Sequence, residues 1–334
     1  VSQLPALSPW QQRAYGHAAS ALAGGQMGHA TLIVGPQHLG KRVLAEHLAR
    51  RVLCLSPRAD GEACGSCRSC TLFASRSQYD PPETRPDGTP SQPWGHSAHP
   101  DLMFIGYEIN QKTGKPRAEL VIEQVRSLSE KLTLTPRMGD TVVAIVDPAD
   151  AINYNAFNAL LKTLEEPQPG RYLWLLSNNP ARLPATIRSR CQRLELRMPP
   201  HAESLEWLSA RGHAANTASD ALDAARGHPG LADEWIANDG MALRRSVHSD
   251  ADALRRGEAA AVELAQRWVA DGRGEERLRH LADLALCEAS RLTDPARTRT
   301  LAARFDAANR TRILLRTTVR ADLAVAETLL GWCK

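Results

Sequence analysis

Residues 35–42 read Gly-Pro-Gln-His-Leu-Gly-Lys-Arg, a phosphate-binding loop that is intact until its final position. In a G-x-x-x-x-G-K-[ST] loop the backbone N–H groups cradle phosphates, the lysine neutralises them and the closing hydroxyl holds Mg²⁺. Gly35, Gly40 and Lys41 are in place, but the hydroxyl position is Arg42. A guanidinium has no lone pair to give a metal. The loop therefore has the shape for nucleotide binding and lacks one of the atoms that nucleotide chemistry needs.

A second set of chemically capable residues follows at once. Cys54, Cys64, Cys67 and Cys70 form C-x₉-C-x₂-C-x₂-C, with Gly61, Gly65 and Ser66 supplying tight turns. Four thiolates that close suit a soft tetrahedral ion, and Zn²⁺ accepts four sulfurs at about 2.3 Å. An Fe–S cluster and four unligated thiols are the other readings of the pattern, the first without any accompanying redox motif. Four protein ligands leave no open coordination position, so a zinc here is structural and staples a loop too polar to pack alone. A third feature is Asp147, which ends an apolar run where an ATPase strand would present Asp to Mg²⁺ and then Glu to water. The next residue is Pro148, and Asp150 lies three positions on. Asp147-Pro148 also reads as a plain strand-to-turn junction. On either reading no general base stands where it is needed.

The elements that must position these groups follow from periodicity. Apolar, β-branched runs predict strands at 31–34, 102–106, 142–147, 172–177 and 193–196, and three-to-four spacing predicts helices at 42–54, 119–131 and 153–166. Strand, glycine loop and helix around residue 35 is the context in which the motif has meaning. The alternation predicts an α/β domain with a largely parallel sheet over 1–198. Residues 80–100 hold Pro, Gly, Ser and His with almost no aliphatic side chains, which predicts a mobile surface insertion centred on 80–98. After Met198-Pro-Pro200 the pattern turns helical, giving a small helical lid domain over 199–238 and a helical bundle over 239–334 that ends in a helix near 321–332.

Composition bounds the function classes. The 334 residues allow two or three domains, and 43% hydrophobic with 23% charged residues is ordinary for a globular chain. A net charge of +4 does not by itself argue nucleic-acid binding. No run of about 18 apolar residues occurs, so no membrane span is expected. Val1 to Trp10 does not read as a secretory leader. Four of seven cysteines crowd into 54–70, which favours a cytoplasmic metal site over a disulfide framework.

Two further segments carry a family pattern. Asn158-Ala-Leu-Leu-Lys-Thr-Leu-Glu-Glu-Pro167 resembles the helix after the second acidic motif of bacterial clamp-loader subunits, and Leu183-Pro-Ala-Thr-Ile-Arg-Ser189-Arg190-Cys191 resembles their Ser-Arg-Cys motif. With the four-cysteine loop, the likeness runs from about Pro9 to Trp332, is weaker in the C-terminal helices and is absent across the insertion. The chain thus resembles the AAA+ clamp-loader family of bacterial DNA polymerase III, and within it the delta-prime type. Against the ATP-hydrolysing gamma/tau type, the hydroxyl falls on Arg42, the Asp-Glu pair on Asp147-Pro148 and a sensor arginine on Gly230. Lys41 departs the other way, since the delta-prime pattern often drops it, and this leaves residual nucleotide binding open.

The resemblance implies an AAA+ α/β domain, a lid and an all-α collar for oligomerisation. It implies that Arg190, flanked by Ser189 and Cys191, is an arginine finger reaching ATP on a neighbouring subunit. The implied partners are gamma/tau and delta subunits in a hetero-pentameric ring, the sliding clamp, and primer–template DNA through the complex, in the cytoplasm and without a membrane. An isolated arginine at 190 would more simply cap a strand or pair with a carboxylate. Cys191 reads as a small packing residue, since no histidine stands beside it in sequence. Arg244, Arg245, Arg255, Arg256, Arg312, Arg316 and Arg320 read as solvated faces and subunit contacts before DNA contacts. His96 and His99 read as part of the mobile insertion before metal ligands. The rival readings are a competent gamma/tau-like ATPase using Lys41 and Asp147, and a zinc-dependent DNA-binding module.

Overall fold

Continuous apolar runs with no polar alternation form strands that are covered on both faces, and a parallel sheet is what buries them. The computed structural model describes residues 4–80, 82–86, 88–110, 114, 116–290, 292–317 and 319–333. Among them are seven strands: β1 (Ala30–Val34), β2 (Arg76–Ser77), β3 (His96–Ser97), β4 (Leu102–Ile105), β5 (Val142–Val146), β6 (Arg171–Ser177) and β7 (Gln192–Glu195). Five of these make one sheet in the order β4-β5-β6-β1-β7, and every pairing in it is parallel. The strands match the expected runs within a residue at each end.

Period-two alternation decides which residues meet which layer. Leu32, Val34, Ala144, Val146, Leu173 and Leu175 pack with α4 (Ile122–Thr133) and α5 (Tyr154–Glu165) through Val125, Leu128, Leu160 and Leu164. Their neighbours Ile33, Val143, Ile145, Trp174 and Leu176 face the other way, onto α1 (Pro9–Ala23) and α2 (Lys41–Leu53) through Trp10, Leu44 and Leu48. The remaining helices of this part are α3 (Arg68–Ala74) beside the cysteines, α6 (Ala185–Arg188) before β7, and α7 (His201–Ala210), α8 (Ala215–Ala224) and α9 (Pro229–Ala237) beyond it. This is an α/β architecture, a five-stranded parallel sheet between two helical layers.

The chain divides into two compact units, Val1–Ala232 and Asp233–Lys334. The second is wholly helical among its described residues: α10 (Gly240–Arg255), α11 (Ala261–Ala270), α12 (Gly274–Ala289), α13 (Pro295–Leu314) and α14 (Ala321–Leu330). They enclose Val247, Leu254, Leu264, Trp268, Leu278, Leu281, Val325, Leu329 and Trp332. Several arginines singled out in the sequence are engaged inside this unit, with Arg255 on Glu288 at 2.9 Å, Arg320 on Asp322 at 2.6 Å and Arg316 on Glu275 at 2.5 Å.

One expectation is corrected here. The insertion does not lie free on the surface. Ser77 and His96 pair across the β2–β3 ribbon, and Ser91 and Gln92 between them are only 3% exposed. His99, read as part of a mobile loop, is buried and bonded to Ser69 Oγ at 2.8 Å, while His96 faces Glu83 at 3.2 Å. The segment lacks aliphatic residues because charged and amide groups hold it in place.

Candidate functional site: a self-filled nucleotide loop and an exposed arginine

β1 delivers the chain into the loop, and two residues of α1 hold its far end. Trp10 Nε1 donates to the Leu39 carbonyl at 3.0 Å, and Gln11 Nε2 donates to the carbonyls of Leu39 and Gly40 at 3.1 and 2.9 Å. Gly40 has φ +76°, and a Cβ there would lie 1.9 Å from the Gln11 amide. Only glycine allows that left-handed turn into α2. The backbone through Gly40 therefore turns into α2 as a phosphate loop does.

The loop's charges point inward. Lys41 Nζ donates to the carbonyls of Gly35 and Pro36, both at 2.8 Å. It is 7% exposed, and burial draws its pKa down to about 8 against the opposing pull of Asp147 and Asp150. Arg42 is equally buried. Its Nε donates to Glu46 at 3.0 Å, its head group to the Ser91 carbonyl and the Gln92 side chain, and its Cζ lies 3.8 Å from the centre of the Phe104 ring. Burial lowers the Arg42 pKa while Glu46 and Asp147 oppose the shift, as a paired interior guanidinium requires.

Asp147, at the end of β5 and joined to Pro148 by a cis peptide, accepts from Arg85 of the insertion at 2.9 Å and lies 4.0 Å from Arg42. Arg76, at the base of the insertion, pairs with Glu46 at 2.5 Å. Three guanidiniums and two carboxylates thus form one interior network joining α2, the end of β5 and the insertion. Asp150 turns elsewhere, accepting from Ser177 Oγ at 2.5 Å and Asn178 N at 2.6 Å, and so pins the end of β6. The Glu46 contact was legible as an i,i+4 pair with Arg42. Arg76, Arg85, Ser91 and Gln92 carried no local signal.

Gly230 closes the loop from the far side of the sequence. A Cβ at 230 would lie 1.9 Å from the His38 carbonyl, so α9 approaches the loop backbone where no side chain fits. His38 and His228 stand edge to face at 6.1 Å.

Arg190 lies in a different setting. β7 runs parallel to β1, with Gln192 beside Thr31 and Glu195 beside Val34. Arg190 precedes the start of β7, whereas the phosphate loop follows the end of β1, so the two sit at opposite ends of the sheet, separated by about 13 Å of strand rise. Its guanidinium pairs with Glu165 at the end of α5 at 2.7 Å and donates to the Thr186 carbonyl at 2.9 Å. The side chains of this pair are 37% and 49% exposed. Ser189 Oγ donates to the Thr186 carbonyl at 3.2 Å. Cys191 packs against the core, and burial pushes its thiol up to about 11, which suits packing and not nucleophilic attack.

The four cysteines converge. The Sγ atoms of Cys54, Cys64, Cys67 and Cys70 all lie within 4.8 Å of one another, with Cys54 and Cys64 at 3.6 Å. A tetrahedron with metal–sulfur bonds of about 2.3 Å has edges of about 3.8 Å. Backbone N–H groups of Cys64, Cys67 and Cys70 donate to sulfurs at 3.2–3.4 Å. The N–H groups of Ser66 and Cys67 bring the Cys64 pKa down to about 6, while burial raises Cys70 to about 12. The donor set and spacing fit a metal ion.

Comparison with known proteins agrees with this geometry. Residues 10–200, more than half of the chain, match the family described as DNA polymerase III, delta subunit. The chain is 35% identical over 263 residues to DNA polymerase III subunit delta′ of Pseudomonas aeruginosa, covering 78% of this chain and 70% of that one. To subunit delta′ of Escherichia coli K12 it is 32% identical over 253 residues, covering 72% and 66%. Among solved structures, a DNA polymerase III gamma subunit-related protein of Thermotoga maritima is similar at 15% identity and a TM-score of 0.46, covering 95% of this chain and 98% of that one. A parallel sheet carrying a phosphate loop, a four-cysteine cluster and a Ser-Arg-Cys turn, matched over this length at this identity, makes the chain a member of the DNA polymerase III delta-subunit family, alongside the proteins named delta′.

Proposed function

We propose that this chain is a non-hydrolysing, delta-prime-type subunit of the DNA polymerase III clamp loader. It supplies Arg190, within Ser189-Arg190-Cys191, to ATP held by a neighbouring subunit. The observation that supports this reading is where Arg190 lies: exposed, at the end of the sheet away from its own phosphate loop. A guanidinium offers planar donors to phosphate oxygens and keeps its charge. Gly35, Gly40 and Lys41 then serve as scaffold, since Arg42, Asp147 and Lys41 are all taken up internally. Gamma/tau and delta subunits complete a hetero-pentameric ring that loads the sliding clamp on primer–template DNA in the cytoplasm. Residues 1–198 act as the AAA+ domain, 199–238 as the lid and 239–334 as the collar. The ion at Cys54, Cys64, Cys67 and Cys70 is structural Zn²⁺, because four sulfurs leave it no open position. Among the described residues no helix is long and apolar enough to cross a membrane.

The test is a reconstituted complex. Arg190→Ala should slow ATP hydrolysis at one neighbouring site by about 10³, the lower end for arginine fingers, while the ring still assembles. Unchanged hydrolysis and clamp loading would remove the finger. The gamma/tau-like alternative is separated by the lone chain with Mg²⁺-ATP, where turnover abolished by Lys41→Ala would sink the non-hydrolysing reading.

A further inference from the structure

We propose that residues 78–80, 82–86 and 88–95 form an intramolecular ligand of the phosphate loop, docked over the Mg²⁺-nucleotide position by Arg42 and Asp147 and closing that site to nucleotides. This inference does not depend on the role of Arg190.

The contacts run in both directions. From the loop side, Arg42 donates to the Ser91 carbonyl and to the Gln92 side chain while resting on Phe104. From the insertion side, Arg85 reaches back to Asp147 at 2.9 Å, and Arg76 at the base pairs with Glu46. The segment has its own frame as well. Ser91 N donates to the Glu83 carbonyl and Arg85 N to the Thr89 carbonyl, both at 2.8 Å, and Gln78 Nε2 donates to the Gln92 carbonyl at 2.8 Å. A shaped segment that buries its amide on the loop is a ligand in the physical sense. It adds acceptors to Arg42 and a second guanidinium to Asp147, interior charges that otherwise have only Glu46 and each other.

A nucleotide entering this site meets three obstacles together. Its metal must bind Asp147 beside the guanidiniums of Arg42 and Arg85. Its phosphates must draw Lys41 away from two carbonyls. Its bulk must lift Ser91 and Gln92 out of burial. The missing hydroxyl at position 42 accounts only for the lost metal ligand, so the docked segment is a separate and larger barrier.

Because Ser77 and His96 face each other across β2 and β3, residues 78–95 can be exchanged for Asn-Gly, a two-residue hairpin turn. Binding of mant-ATP to the full chain, with and without Mg²⁺, is the readout. The exchanged chain should bind at least tenfold more tightly than the parent, and adding Arg42→Thr to it should make binding depend on Mg²⁺. Equal affinity in parent and exchanged chain, with folding checked by circular dichroism, overturns the proposal. A gentler variant decides the matter if the exchange unfolds the protein. Gln92→Ala should raise amide exchange across 83–95 at least fivefold and leave α2 unchanged; unaltered exchange in the segment also overturns it.

Discussion

Arg42 and Arg190 carry the same guanidinium in the same domain and are treated in opposite ways. Arg42 lies buried among Glu46, Asp147, Ser91, Gln92 and Phe104, every contact supplied by its own chain. Arg190 lies at the rim, held by one half-exposed carboxylate and one carbonyl at the end of a short helix. A buried cation whose partners are all internal is spent on the fold. A charge left at the surface keeps part of its guanidinium in contact with solvent. The setting of each arginine, and not its chemistry, is what differs between them.

The largest expected effect tests the buried side of that contrast. Arg42→Ala removes the cation shared by Glu46 and Asp147 and leaves them to Arg76 and Arg85 alone, which should destabilise the Val1–Ala232 unit by about 3 kcal/mol in urea denaturation, the lower end for a broken buried pair. A loss below about 1 kcal/mol would mean that Arg42 is not part of a structural network.

An intermediate effect concerns a buried group without such partners. In the helical unit His280 is fully buried beside Trp235, with no hydrogen bond at either ring nitrogen among the described residues. Burial first, then Arg244 and Arg279, hold its pKa down to about 3. The unfolded chain takes up this proton near pH 6.5 and the folded chain does not. The stability of Asp233–Lys334 is therefore full above about pH 6.5 and falls as the pH drops toward 3, by up to about 1.4 kcal/mol per unit. Between pH 6.5 and 5 the loss is about 2 kcal/mol, and His280→Phe should remove this part of the pH dependence of the urea midpoint. A slope unchanged by the substitution would assign the loss to other groups.

The smallest effect belongs to the exposed pair. Arg190→Ala and Glu165→Gln should each cost under about 1 kcal/mol of stability, since exposed ion pairs contribute little. In the reconstituted complex the two should part company. Arg190→Ala removes the donor, whereas Glu165→Gln frees it and should alter neighbouring hydrolysis by no more than about fivefold, the rate equivalent of about 1 kcal/mol. Equal and large losses from both would make Glu165 part of the reacting site.

Much of this was legible before any tertiary structure. The phosphate loop between β1 and α2 is written in adjacent residues, because strand, turn and helix signals are local. The cysteine quartet lies within 17 residues of chain, from Cys54 to Cys70, so only a short loop has to fold to bring the sulfurs together. Residues 80–100 read as mobile from their lack of aliphatic side chains, whereas their anchorage is polar and comes from elsewhere in the chain. Their anchors, Arg85 on Asp147 and Arg42 on Gln92, join positions 62 and 50 apart, a distance over which no periodicity speaks. The close approach of Gly230 to His38 is of the same kind.

The sequence by itself determined that this chain would have a phosphate loop with no hydroxyl for Mg²⁺, an Asp with no following Glu, and an arginine in a Ser-Arg-Cys turn. These are properties of single positions and short spacings. Only the tertiary structure decided what became of the charges left over. Electrostatic partners are chosen by distance in space, and burial sets how much each pairing matters. Contacts from a distant insertion therefore hold Arg42 in the interior, and the parallel register of β1 and β7 leaves Arg190 exposed at the opposite end of the sheet.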